Sequence, residues 1–168
     1  MPPTGTSWEL RVTALWASLD DRPEADFLAA IDELVAERPP DDPAATFEHA
    51  AALDSTGHSD LAVPLYQRAL DLGLTGLRRR RAVIQQASSL RNLDRAAESV
   101  ALLTPELEAE SDELDDAVRA FLALALTDAG REREAVALSL IALAPHLPRY
   151  QRSVTNYARA LVDGVAPG

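Results

Sequence analysis

The residues with the clearest chemical potential are four consecutive arginines, Arg78 to Arg81. Guanidinium groups bind carboxylates and phosphates, so such a run suits an acidic protein segment or a nucleic acid. The surrounding pattern places the run in the first turns of a helix, where the helix dipole is positive and each exposed cation costs roughly 0.3–1 kcal/mol. We therefore expect either compensating carboxylates, with the acidic run from Glu110 to Asp116 as the candidate, or an arginine that faces a groove and awaits an acidic ligand.

The other chemically versatile residues do not form a recognisable catalytic or metal-binding pattern. The three histidines, His49, His58 and His146, lack the spacing of a ligand set, and the chain contains no cysteine. No nucleophile elbow, HExxH, Walker or dinucleotide-binding glycine motif is present. The sequence therefore predicts no catalytic residue, no metal and no cofactor, and we expect a protein that is not an enzyme.

Composition restricts the class of partner. The formal net charge of the 168-residue chain is −11, which argues against general nucleic-acid binding. All 16 basic residues are arginine, a bias typical of a GC-rich bacterial genome. No stretch approaches 18 uninterrupted apolar residues and no signal-peptide pattern opens the chain, so we expect a cytoplasmic protein without a membrane segment.

The elements that position these residues are best defined between residues 43 and 76. Asp42 is a predicted N-cap, and Pro43 suits the first helical position, where a missing N–H costs nothing. Gly57 ends this helix, and Ser59 is the predicted cap of the next one. Two glycines are expected to end the second helix: Gly73 and Gly76.

This helical hairpin of about 34 residues resembles a tetratricopeptide repeat. Small residues lie where the family brings two helices close together, a glycine lies at the turn, and an aromatic residue follows. Thr46 stands where the family has tryptophan, and the stretch is similar to a bacterial subgroup often labelled group five. The resemblance covers roughly residues 23–163. The residues that carry it are Ala50, Gly57, Ala62, Tyr66 and Ala69.

The spacing of the predicted turns supports a repeat. Gly57 and Gly130 are 73 residues apart, close to two repeats, and Asp94 near the midpoint takes the place of a turn glycine. Pro105 is expected to kink the second helix of the middle repeat, or to break it so that Thr104 starts a short turn. Before the repeats we expect one helix from Trp8 to about Leu19, with Ser7 as its N-cap, and a second helix that ends at about Glu37. After the repeats we expect a helix from Arg149 to Asp163. Ser111 or Asp112 is the predicted N-cap of the third repeat.

The predicted fold is an all-α tetratricopeptide-type solenoid of antiparallel hairpins. We expect about nine helices in one domain, stacked as a right-handed superhelix and closed by a C-terminal capping helix. The predicted segments are a loose tail (1–6), an N-terminal capping helix pair (7–42), three repeats (43–76, 77–111 and 112–146), a capping helix (147–163) and a second tail (164–168).

The resemblance implies a non-enzymatic scaffold that binds an unidentified protein or peptide in a concave groove. Arg81, Arg91 and Asn92 are expected to contact acidic or C-terminal carboxylates, and three residues are expected to form apolar pockets. Two other functions stay open: a self-association module, and a nucleic-acid adaptor that uses the four arginines. The predicted groove residues are Phe47, Asp54, Arg81, Ile84, Ser88, Arg91, Asn92, Leu124, Arg152 and Arg159, of which Phe47, Ile84 and Leu124 are the apolar ones.

Overall fold

The computed structural model describes residues 5–164, and within that range the chain contains helices and turns but no strand. This confirms the all-α prediction and the expected number of helices. The tail residues 1–4 and 165–168 lie outside the described range, whereas residues 5 and 6, also predicted as tail, belong to the first helix. The helices are α1 (Gly5–Trp16), α2 (Glu24–Ala36), α3 (Pro43–Ser55), α4 (Ser59–Asp71), α5 (Gly76–Asn92), α6 (Ala96–Leu103), α7 (Asp115–Asp128), α8 (Glu132–Leu143) and α9 (Gln151–Asp163).

The chain divides into two compact units, Met1–Ala82 and Val83–Gly168, so the border falls within α5. In the N-terminal unit α1 packs on α2, while α2 and α4 pack against α3. Because α3 has a neighbour on each side, its small residues are buried around most of its circumference. The two core clusters of this unit contain Trp8, Val12, Leu15, Phe27, Ile31, Leu34, Ala45 and Ala52, and Phe47, Ala50, Ala51, Ala62, Tyr66, Ala69, Leu74 and Ala82.

The C-terminal unit is also built from antiparallel helix pairs. In it α7 packs against α6 and α8, and α9 packs against α8. Alanines are frequent at these contacts because a methyl side chain lets two helix backbones approach closely. The buried apolar residues are Val83, Ile84, Ala87, Leu90, Val100, Leu103, Val118, Leu122, Ala123, Ala125, Leu126, Ala135, Ala137, Ala144 and Ala158.

The three hairpin turns share one backbone conformation. Gly57, Asp94 and Gly130 have φ angles of 88°, 58° and 74°, and Asp94 therefore occupies the predicted glycine position. In each turn the backbone N–H of the residue after the positive-φ position donates to the carbonyl five residues before it. This bond satisfies a carbonyl oxygen that would otherwise be unpaired at the end of the helix. These bonds join His58 to Leu53 (2.8 Å), Arg95 to Leu90 (2.9 Å) and Arg131 to Leu126 (2.8 Å).

Several helix ends differ from the sequence prediction. His58, not Ser59, is the N-cap of α4, because Ser59 is already the first helical residue and its hydroxyl donates to Asp54. Gly76 begins α5 instead of ending α4. Leu114, not Ser111 or Asp112, precedes α7, and the Asp112 carboxylate accepts from the Leu114 N–H at 2.7 Å in a turn of its own.

The first helix also has other bounds than predicted. α1 begins at Gly5, so Ser7 lies inside it, and it ends at Trp16. A separate 3₁₀ turn, Leu19–Asp21, follows. The acidic and proline residues that come next favour this early stop, and Pro23 fixes an extended entry into α2 with φ −56° and ψ 140°.

Prolines shape two of the second helices of the hairpins. Pro105 ends α6 early, and the chain continues as a 3₁₀ turn, Thr104–Glu108, which is the second of the two predicted alternatives, a break instead of a kink. Pro64 lies inside α4. A proline there removes one helical hydrogen bond, so its cost must be offset by the packing of α4 on α3.

Candidate functional site

The first arginine of the run, Arg78, lies in a partly buried cluster of the N-terminal unit. Its Nε donates to Glu48 at 3.1 Å and its Nη1 donates to Glu9 at 2.9 Å. Glu48 is only 3% exposed, and it also accepts from Trp16 Nε1 at 2.8 Å. The Arg78 guanidinium stands 5.9 Å from the centre of the Trp8 ring. The cluster therefore joins α1, α3 and α5.

These contacts supply the charge compensation that a cation in the first turn of a helix requires. The hydrogen bond from Arg78 holds the pKa of Glu9 below its ordinary value, and the same bond raises the pKa of Arg78. For Arg78 the expectation of a partner in the run from Glu110 to Asp116 is wrong, because its carboxylates come from α1 and α3.

Arg81 is the arginine of the run that combines exposure with a fixed position. Its guanidinium stacks 5.1 Å from the centre of the Phe47 ring, within the range of a cation–π contact. Phe47 in turn packs against Tyr66, with ring centres 6.1 Å apart. Among the residues that the structure describes, Arg81 makes no ion pair. Its side chain is thus oriented by an aromatic ring while its N–H groups point to no carboxylate.

Phe47 and Asp54, two predicted groove residues, have structural roles beside Arg81. Phe47 is fully buried, so it cannot form the apolar ligand pocket that the sequence suggested. Asp54 is half-buried and accepts from the Tyr66 hydroxyl at 3.3 Å. Burial, followed by the charge and hydrogen bond of Asp54, raises the pKa of Tyr66. Tyr66 therefore stays a neutral donor that orders this cluster.

The structure separates the remaining predicted groove residues into buried and exposed sets. Ile84 is 5% exposed and belongs to the core of the C-terminal unit, so its predicted role as a ligand pocket is wrong. Leu124 is 47% exposed and stays available. Arg91 is engaged, because its Nε donates to Asp128 at 2.6 Å. A ligand carboxylate at Arg91 would have to displace that partner.

The last predicted residues differ in exposure and in their partners. Ser88 is half-buried. Asn92 is exposed, but it already interacts with another group of the protein. Arg152 and Arg159 are exposed on α9, and neither forms an ion pair within residues 5–164. Both guanidinium groups are therefore available to a ligand.

The C-terminal unit contains a cavity of about 280 Å³, and Arg159 is one of its lining residues. Its walls come from α7, α8, α9 and the turn after α6, and they are mainly apolar. Four charged side chains lie around it: Arg131, Glu134, Arg159 and Asp163. No pattern in the sequence predicts this cavity, because a gap between packed helices depends on how the helices are arranged.

The burial of Glu48 was not among the predictions, although the sequence contains a signal for it. On a helical wheel Glu48 falls between alanines three and four residues away, Ala45, Ala51 and Ala52, all of which are buried. A carboxylate in that position must be buried and therefore must find cationic or N–H donors.

Each of the three histidines lies beside a carboxylate. The Nε2 atoms of His49, His58 and His146 are 3.4, 2.8 and 3.1 Å from Asp32, Glu24 and Asp116, respectively. Between residues 5 and 164 no group of three or more His, Cys, Asp or Glu side chains is arranged to hold a metal ion. In the same part of the chain no helix has the length and apolar character needed to span a bilayer.

The comparison with known families agrees with the repeated hairpins. The family model of the tetratrico peptide repeat matches residues 43–161, which cover α3 to α9. No curated protein and no solved structure matches the chain. The matched segment is more than half of the chain and contains the hairpin turns at Gly57, Asp94 and Gly130. The chain therefore belongs to the tetratricopeptide repeat family.

Proposed function

We propose that the chain is a non-enzymatic interaction module that binds an acidic segment of a partner protein, with Arg81 as the principal contact. Repeats of this family generally mediate protein–protein interaction. The observation that carries the proposal is the stacking of Arg81 on Phe47 at 5.1 Å. Because the ring orients the guanidinium in advance, less side-chain entropy is lost when a carboxylate binds.

The net negative charge of the chain favours binding of acidic segments at specific sites over general electrostatic attraction of acidic molecules. The net charge of −11 repels acidic molecules at long range, so an acidic segment binds only where arginines outnumber nearby carboxylates. Arg152 provides a further exposed guanidinium group in the C-terminal unit. Leu124, which is 47% exposed, offers an apolar contact there.

Selection of peptides from a random display library on the full chain tests this proposal. We expect enrichment of peptides with Asp or Glu, and about a tenfold weaker affinity for the Arg81→Glu variant, because about 1.4 kcal/mol corresponds to a factor of ten. Arg149→Glu is the matched control, since Arg149 is exposed and forms no ion pair in the described part of the chain. Selected peptides without acidic residues, or equal affinity for both variants, would refute the assignment.

Self-association is the second candidate, and the exposed tyrosines of the C-terminal unit favour it. Tyr157 on α9 is 56% exposed and Tyr150 just before it is 75% exposed. Aromatic side chains are common anchors at protein interfaces. Light scattering during size exclusion, over a hundredfold range of protein concentration, tests it: a concentration-dependent mass supports a dimer, and a constant monomer mass excludes one.

A nucleic-acid adaptor is a weaker candidate because part of the arginine run is not available to phosphates. Arg78 has two carboxylate partners and Arg80 is only 4% exposed. Binding of nucleic acid requires several arginines that can release counterions from phosphates. A mobility-shift titration at low salt checks this point, and we expect no shift.

A further inference from the structure

The cavity of the C-terminal unit has the size of a single large side chain. An apolar cavity of roughly 150 Å³ can bind benzene, whereas sites for drug-sized molecules start near 300 Å³. At about 280 Å³ this cavity lies between the two. Its floor is firmly packed, because Leu122, Leu126, Ala137 and Ala158 are at most 3% exposed. Its other apolar walls include Ile141 and Val162.

The charged residues around the cavity fall into two pairs. Arg131 and Glu134 satisfy each other through two hydrogen bonds of 2.8 and 2.7 Å. Arg159 and Asp163 lie one turn apart on α9, and in the described part of the chain neither makes a hydrogen bond or an ion pair. One donor group and one acceptor group therefore remain available beside an apolar cavity.

We propose that this cavity anchors one large apolar side chain from an internal segment of the partner peptide. Arg159 donates to a backbone carbonyl of that segment, and Asp163 accepts from a backbone N–H. The occupant is neutral because the four charges around the cavity cancel, and a free carboxylate at this place would approach Glu134 and Asp163. This inference rests on the proposed function as a peptide-binding module, and it names the chemistry of the residue that is recognised.

The direct test is a nuclear magnetic resonance titration of the full chain, labelled at alanine, isoleucine, leucine and valine methyl groups. The probe is N-acetyl-L-phenylalaninamide, which presents one aromatic side chain on a neutral backbone unit. We expect methyl shifts at Ile141, Ala158 and Val162, with a dissociation constant of the order of 1 mM for so small a molecule. N-acetylglycinamide, which has the same backbone without the side chain, should cause no shift at these methyls.

A charged probe distinguishes an internal segment from a chain terminus. N-acetyl-L-phenylalanine carries a carboxylate where the first probe has an amide, and we expect it to bind several-fold more weakly. Tighter binding of the acid, lost in Arg159→Ala, would overturn the proposal because the cavity would then recognise a terminus. Absence of shifts at the cavity methyls with both probes would also overturn it.

Variants of α9 locate the site without disturbing the core. Val162 is 53% exposed and lines the cavity, so Val162→Trp should fill the opening and weaken probe binding at least tenfold. Tyr157→Trp is the matched control, because Tyr157 lies on the same helix but does not line the cavity. Unchanged helicity by circular dichroism shows that both variants fold. Equal probe binding by both variants would place the probe elsewhere and refute the inference.

The outcomes separate this inference from the proposed function. If selected peptides bind through Arg81 but leave the cavity methyls unshifted, the module function holds and the anchor pocket is refuted. If the probe binds in the cavity but no peptide is selected, the pocket chemistry holds and the peptide-binding function fails.

Discussion

Glu48 shows how a single buried charge can fix the arrangement of three helices. Its carboxylate accepts from Trp16 of α1 and Arg78 of α5 while its backbone belongs to α3. A buried carboxylate without partners is strongly disfavoured, so arrangements that separate these donors from Glu48 are penalised. We infer that the cluster specifies the packing of the N-terminal unit more than it adds net stability.

Removal of the Glu48 carboxylate should destabilise the protein strongly. We expect Glu48→Ala to lower the free energy of unfolding by about 3 kcal/mol, because it leaves the Trp16 N–H unpaired and takes a partner from Arg78. Glu9→Ala is the control: the Glu9 side chain is 45% exposed, and exposed pairs contribute about 0–1 kcal/mol. Urea unfolding of both variants measures the difference, and equal losses would contradict the role assigned to burial.

At the scale of elements, the hairpin turn is the feature that repeats most faithfully. Gly57 and Gly130 adopt positive φ without steric cost, whereas Asp94 adopts φ 58° with a side chain. After the turns at Asp94 and Gly130 the next residue also follows a pattern: Arg95 and Arg131 each pair with a glutamate three residues later. That glutamate neutralises a cation at the N-terminus of the second helix, where the helix dipole disfavours it.

Substitutions at the turn should report this backbone conformation directly. Apart from Gly57 itself and its two chain neighbours, no residue has an atom within 4 Å of an added Cβ at Gly57, so Gly57→Ala tests conformation without a clash. We expect it to destabilise the protein by roughly 1–2 kcal/mol, and Asp94→Gly to be neutral or to stabilise it by up to about 1 kcal/mol. Thermal unfolding of the two variants is the measurement. A stabilised Gly57→Ala variant would show that the turn does not need positive φ.

At the scale of the whole molecule, acidic residues dominate, but many of them have a cationic partner. Hydrogen bonds from arginine lower the pKa of Glu9, Glu37, Glu98 and Glu134, and the hydrogen bond from His146 lowers that of Asp116. In the unfolded chain these carboxylates return to their ordinary pKa values. The native state therefore gains stability from them only while they are ionised.

Stability should consequently fall in acid. Below the ordinary glutamate pKa of 4.5 the unfolded chain binds more protons than the native state, so lowering the pH favours unfolding. We expect the midpoint temperature to vary little between about pH 5 and 7 and to drop steadily below about pH 4.5. Thermal unfolding across this pH range checks the prediction. The Arg11→Gln variant removes the hydrogen-bond partner of Glu37, so its midpoint temperature should decrease slightly less steeply below about pH 4.5. A midpoint that is constant down to pH 3 would contradict the role of the paired carboxylates.

The local features of the fold could be predicted from the sequence, because each depends on a few neighbouring residues. The Asp42 cap, with its carboxylate 2.9 Å from the Ala45 N–H, is one example, and the turn at Asp94 is another. The resemblance of the hairpin at residues 43–76 to a tetratricopeptide repeat is confirmed by the family match over residues 43–161. Arg81 and Arg159 are exposed, and their predicted role as groove residues stays a prediction.

Only the tertiary structure decided which side chains a ligand can reach. Phe47 and Ile84 appeared as groove residues in the sequence, but neighbouring helices bury both. Arg78 finds its partners 69 and 30 residues away, and the cavity exists only between assembled helices. The physical reason is that burial and ion pairing depend on which helix faces meet, and a pattern read along one helix does not contain that information.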